Sequence, residues 1–138
     1  MSTDQVIVVA AVAFVRDGRM LTVRKQGTSR FMLVGGKLEP GEDALAAAIR
    51  ETREEVGIEV DDLELIGTFV SEAANEPGHE LRSTVYLAPA DLIAEPIVAA
   101  EIAELRWTPM DDIPDDLAPM LEHHVLPALR SRAHGSRT

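Results

Sequence analysis

Gly36-Lys37-Leu38-Glu39-Pro40-Gly41-Glu42, then Asp43-Ala44-Leu45-Ala46-Ala47-Ala48-Ile49, then Arg50-Glu51-Thr52-Arg53-Glu54-Glu55-Val56-Gly57-Ile58: this stretch decides how the chain is read. Pro40-Gly41 marks a turn. Glu42 or Asp43 stands where a helix N-cap belongs, strong helix formers run on to Val56, and Gly57 supplies the stop. The spacing predicts a helix over 43–56. Leu45, Ile49, Thr52 and Val56 recur on one helical face, which is expected to pack on a sheet. Glu51, Glu54 and Glu55 share an arc roughly 100° wide, pointing largely away from that stripe.

Outward from the helix, the pattern is one of strands. Residues 5–15 are rich in Val, Ile and Ala and read as a buried strand. Asp17-Gly18 is a hairpin signal, and 19–25 reads as the returning strand. Residues 31–34 form a short apolar strand that runs into Gly35-Gly36. After the helix, 63–73 and 80–87 read as two strands joined through the turn signal Asn75-Glu76-Pro77-Gly78. Residues 88–100 read as a loop. A last strand over 103–108 carries Trp107, and 117–129 reads as a second helix with Pro119 in its first turn. Residues 131–138 read as a frayed tail. The order predicts an α/β chain, a mixed sheet with helices on both faces.

Bulk properties narrow the function. The 138 residues suffice for one domain, with an ordered core over about 5–130. A formal net charge of −11 argues against a surface that grips nucleic acid, but not against a small phosphorylated substrate bridged by metal ions. With no cysteine, a metal would need oxygen or imidazole ligands. The apolar run 5–15 is too short to span a membrane and lacks the features of a signal peptide, so a cytoplasmic protein is expected.

Three carboxylates on one helical arc repel each other, and a hard divalent cation with a taste for oxygen removes that repulsion. A glycine loop just ahead of the helix can bring a backbone carbonyl to the same place. Arg50 can hold a carboxylate through a bidentate contact. Such an arrangement suits pyrophosphate cleavage, where a cation neutralises phosphate oxygens and activates water. Taken alone, a Glu pair on a helix is ordinary solvated surface. The fixed spacing changes the reading.

The segment 36–58 resembles the Nudix box: Gly, five residues, Glu, seven residues, Arg-Glu, an apolar residue, one residue, Glu-Glu, one residue, Gly, an apolar residue. Every charged and glycine position matches, and only Thr52 departs, at an apolar position. The resemblance covers roughly 5–129 and implies the Nudix fold, an α/β/α sandwich with a mixed β-sheet between helices. It further implies Mg²⁺ or Mn²⁺ held by the Gly35 carbonyl and the carboxylates of Glu51, Glu54 and Glu55. Glu42 and Arg50 are implied to hold the helix and those ligands in place. Many members carry Pro before the paired glycines, where this chain has Val34. In MutT-type members a further carboxylate lies six residues before a Trp. Glu101 stands so before Trp107 and is the implied extra ligand or general base, with Glu104 its competitor.

Arg24, Lys25, Arg30, Lys37 and Arg82 are candidates for substrate phosphates, with Arg24 and Lys37 preferred for their strand-end and loop positions. Phe31, Phe69, Tyr86 and Trp107 are candidates for stacking on a base, although core packing suits most of them. His123 and His124 are adjacent in a helix and do not share a face like metal ligands. The resemblance implies a pyrophosphohydrolase of small nucleotides, with nucleoside triphosphates, oxidised ones included, as the leading class. Dinucleoside polyphosphates and nucleotide sugars stay open, as does a homodimer. The proline that marks many ADP-ribose-cleaving relatives is replaced by Ala73. A non-catalytic nucleotide sensor and a purely structural acidic domain are the alternatives from other classes.

Overall fold

The computed structural model describes residues 6–72, 78–89, 95–99 and 101–135, with side chains described as far as 131. Among the described residues, seven strands and two helices follow one another as β1 (Val6–Ala13), β2 (Val15–Arg16), β3 (Arg19–Lys25), β4 (Val34–Lys37), α1 (Ala44–Val56), β5 (Glu64–Glu72), β6 (Glu80–Leu87), β7 (Ile102–Pro109) and α2 (Leu126–Gly135). A π-helical turn, Leu121–Val125, leads into α2. One sheet has the order β4-β1-β6-β5 and is mixed: β1 runs parallel to β6 and antiparallel to β4. A second, antiparallel sheet has the order β2-β3-β7.

β1 lies at the centre because both of its faces can be buried. Ala10 and Val12 join the core beneath α1, whereas Ala11 and Ala13 join the core beneath the final helix. A strand covered on both sides shows a continuous apolar run rather than alternation. This arrangement is the expected sandwich, with α1 on one face and the C-terminal helix on the other. No helix among the described residues is long and apolar enough to cross a membrane.

Local signals act where the sequence places them. Asp17 and Gly18 both take positive φ, 54° and 76°, as a two-residue hairpin turn demands. Asp43 caps α1 by accepting from the Ala46 amide at 2.8 Å, and Gly57 ends it in the left-handed conformation.

Three expectations change. The strand expected over 31–34 lies at Val34–Lys37, with both glycines inside the ladder; Phe31 and Met32 make only single bridges, to Leu117 and Val23. The stripe expected to bury α1 is displaced as well. Leu45 is 42% exposed, and the buried positions are Ala47, Ala48, Thr52, Glu55 and Val56. The helix packs on β4 and β1, where glycines and alanines present little side chain, so small residues make the contact. Finally, the C-terminal helix begins at Pro119 and continues to Gly135, past the point where a frayed tail was expected. Proline suits the first helical position because its missing N–H has no partner there. The turn expected at Asn75-Glu76-Pro77 lies outside the described residues.

Candidate active site

Arg50 organises the acidic face of α1. Its Nε and Nη2 donate to the two oxygens of Glu42 at 2.7 and 2.9 Å, a bidentate clamp from the loop to the helix. Its Nη1 donates to Glu51 at 2.9 Å and to Glu54 at 3.2 Å, and Nη2 also donates to the Lys37 carbonyl at 3.1 Å. One guanidinium thus ties the loop, the end of β4 and two of the three box carboxylates together. The hydrogen bond from Arg50, aided by the Glu39 amide, holds the Glu42 carboxyl down at about 2. The same contact with Glu42 raises Arg50 further above its ordinary value.

A second cluster forms where the paired glycines pass beneath α1. Glu55 is the exception to the acidic face, since its side chain is only 5% exposed. Its Oε1 accepts from the Gly35 amide at 3.2 Å, and its Oε2 lies 3.2 Å from the Lys25 ammonium. Lys25 also donates to the Gly35 carbonyl at 3.2 Å. Burial pushes the Glu55 carboxyl up to about 7, against the pull of Lys25 and the Gly35 amide. The three carboxylates therefore do not all stand opposite the core stripe. Glu55 reaches into the buried arc because the glycine strand leaves room and supplies partners. Glu51 packs over the next residue: a Cβ on Gly36 would lie 2.5 Å from the Glu51 carboxyl.

The basic candidates separate. Arg24 donates to Glu104 at 3.3 Å and to the Thr28 carbonyl at 2.9 Å, outside both clusters. Lys25, its neighbour, is the cation that enters the site. The β3–β7 ladder has a bulge between these two residues: Arg24 faces Glu104 but Lys25 faces Ile102. Bulges re-aim side chains beside functional sites, and this one depends on β7, so residues 24–25 alone carry no sign of it. Arg30 is held by the Asp115 and Leu117 carbonyls, and Arg82 by Glu80.

The same bulge bears on the acidic candidates. Glu104 is taken up by Arg24, whereas the Glu101 carbonyl accepts from the Gln26 amide at 2.8 Å, beside Lys25. The Ala99 amide donates to the Glu55 carbonyl at 3.1 Å, which ties the segment before β7 to the end of α1. The exposed Glu101 is therefore anchored near the glycine corner.

A cavity of about 190 Å³ opens on the other side of the glycine strand. Its wall includes Lys25, Gly35, Gly36 and Lys37 together with Val9, Leu81, Ser83, Val85, Met120 and Leu121. No aromatic residue lines it. Phe31 instead stacks under Arg106, with the guanidinium 3.7 Å from the ring centre, and Trp107 lies 4.3 Å from that of Arg16. Phe69 and Tyr86 pack against the two cores. His123 and His124 are exposed.

Among the described residues, no three acidic or imidazole side chains already converge on one point. What does converge is a carbonyl oxygen and a buried carboxylate around a cation, with Glu51 and Glu54 held alongside by Arg50. All of these donors are oxygen, the ligand type of hard divalent cations.

Residues 5–129 match the family model of the NUDIX domain. A CTP pyrophosphohydrolase of Escherichia coli (strain K12) is 27% identical over 122 residues, covering 74% of this chain and 90% of the relative. The crystal structure of a MutT NUDIX hydrolase from Burkholderia pseudomallei aligns with a TM-score of 0.75 at 31% identity, covering 92% of this chain and 98% of that one. A C. elegans Ap4A hydrolase, solved as a binary complex, aligns with a TM-score of 0.74 over 94% of this chain and 98% of its own; at 23% identity that likeness concerns the fold alone.

Proposed function

Because the chain belongs to the Nudix family of hydrolases, we propose that it is a cytoplasmic, single-domain pyrophosphohydrolase that converts a nucleoside triphosphate, oxidised ones included, to its monophosphate and pyrophosphate. The observation that carries this reading is the position of the glycine strand. Gly35 and Gly36 border the Arg50-clamped carboxylates on one side and an apolar cavity on the other. A nucleotide has the same two halves, a charged polyphosphate and a flatter, less polar base. The similarity to a CTP pyrophosphohydrolase supports a triphosphate substrate.

The proposed ligands of Mg²⁺ or Mn²⁺ are the Gly35 carbonyl, Glu51, Glu54 and Glu55, with Glu101 as a further ligand or the general base. The fit rests on Lys25, whose ammonium stands in for a cation between two of those groups. A bound divalent ion supplies charge neutralisation and a more acidic water. The chain's own residues do the rest. Arg50 fixes Glu51 while Glu42 fixes Arg50, so the carboxylates are oriented before substrate arrives. Lys37, on the exposed end of β4 and the cavity wall, meets the phosphates. Ser83 offers the cavity a hydroxyl among aliphatic neighbours.

The test is a nucleotide panel with Mg²⁺, spanning purine, pyrimidine and oxidised triphosphates, dinucleoside polyphosphates and nucleotide sugars. The expected products are a monophosphate and pyrophosphate, and hydrolysis in ¹⁸O-labelled water identifies the phosphorus attacked. Tight binding of one nucleotide with no turnover of any would replace this reading with a sensor.

A further inference from the structure

Metal binding to this corner has a competitor already in place. The Lys25 ammonium makes contacts of 3.2 Å to the Gly35 carbonyl and to Glu55 Oε2. These are two of the oxygens proposed to ligate a divalent ion, so the inference rests on that reading of the site. We propose that Lys25 is the resident counter-ion of the Glu55–Gly35 corner and that a divalent cation enters by displacing its ammonium. The binding step is then an exchange of one cation for another rather than the filling of a preformed cage.

Three features favour exchange. Glu55 is nearly inaccessible, and a buried carboxylate without a cation is costly, so the metal-free protein needs an internal counter-charge. Lys25 provides it from a long, flexible stem rather than a rigid fork, which suits a group that must leave. An exit also exists, because Lys25 lines the adjoining cavity along with Gly35 and Lys37. An ammonium and a doubly charged ion held by the same two oxygens would be close-packed like charges in a buried corner, where their repulsion is weakly screened, so one must leave when the other enters. Arg24, one residue earlier, could not take this part, being engaged by Glu104 and Thr28.

The sequence makes the test simple, because Lys25 and Lys37 are the only two lysines. Acylation of the wild-type protein by an amine-reactive ester, read by peptide mass spectrometry, reports each lysine separately. Saturating Mg²⁺ is expected to speed labelling of Lys25 several-fold over the same protein in EDTA, with the exposed Lys37 as reference. In parallel, Lys25→Met is expected to bind Mn²⁺ about tenfold tighter by calorimetry, an ordinary size for coupling between two ligands. Labelling of Lys25 that stays constant or slows in Mg²⁺ would overturn the exchange. So would Lys25→Met binding Mn²⁺ no tighter than wild type, and in that case the metal site itself would stand. If neither protein binds Mn²⁺, both the exchange and the proposed ligand set fall. The labelling arm needs no variant, so a misfolded Lys25→Met leaves it decisive.

Discussion

Adding a single methyl group at either of two adjacent glycines should have opposite consequences. At Gly35 a Cβ would press on the Ala10 carbonyl oxygen and lie 2.7 Å from the Ala11 Cα, both backbone atoms of the central strand. Neither can swing aside, so β4 must part from β1. Overpacking costs about 1–3 kcal/mol, and each ladder hydrogen bond lost costs about 1 kcal/mol more. The stiffer unfolded chain returns about 0.4–1 kcal/mol. Gly35→Ala is therefore expected to lose about 3 kcal/mol, or roughly 10 °C in Tm for a domain of this size.

At Gly36 the obstruction is the Glu51 carboxyl, the mobile end of a side chain. It can turn away, giving up its 2.9 Å contact with Arg50. That costs about 1 kcal/mol, nearly offset by the same unfolded-state gain. Gly36→Ala should thus melt within a few degrees of wild type but lose about 10–100-fold in activity, as when a group orienting a metal ligand is removed. Thermal unfolding in EDTA and steady-state turnover with Mg²⁺ measure the two effects. If Gly36→Ala proves as unstable as Gly35→Ala, or keeps full activity, the packing of Glu51 over this glycine is not what orients it.

Arg50→Lys keeps the charge but loses the bidentate grip on Glu42 and the shared contact with Glu51 and Glu54, so kcat is expected to fall about 10–100-fold, measured on the best substrate of the panel. For Glu42 the carboxyl pKa is depressed in the folded state, from 4.5 to about 2. Its stabilising effect is therefore fully present above pH 4.5 and is lost as the pH falls through 2. The stability gap between wild type and Glu42→Gln should accordingly shrink between pH 4.5 and 2, as urea titrations across that window will show. Glu101→Gln should slow turnover more than Glu104→Gln, because Arg24 already engages Glu104 outside the site; equal effects in a kcat comparison would remove Glu101 from its proposed role.

Features governed by neighbours in the chain were legible in the sequence. The cap at Asp43, the stop at Gly57, the Asp17-Gly18 turn and the spacing of the box carboxylates each follow from a few adjacent residues and the pitch of a helix. Apolar periodicity was a poorer guide to which face of α1 is buried. The apolar period ran through Leu45, Ile49, Thr52 and Val56; the structure buries Thr52 and Val56 as expected but leaves Leu45 exposed, and it buries Ala47, Ala48 and Glu55 beside them. What lies across from a helix determines its contact face, and here that is a strand whose glycines admit a carboxylate.

The segment 36–58 by itself determined the family, the helix and the identity of the acidic residues, since all of these depend on local spacing. Tertiary structure alone decided the conformation those residues take. It placed Glu55 inside and Glu54 half outside, and made Arg50 the tie between loop, strand and helix. It also chose Lys25 over Arg24 as the cation at the glycine corner. That choice arises where β3 meets β7, through one extra residue in a strand some 80 positions away. Pairing across such a distance is fixed by the packing of the whole sheet, so no reading of either strand alone contains it.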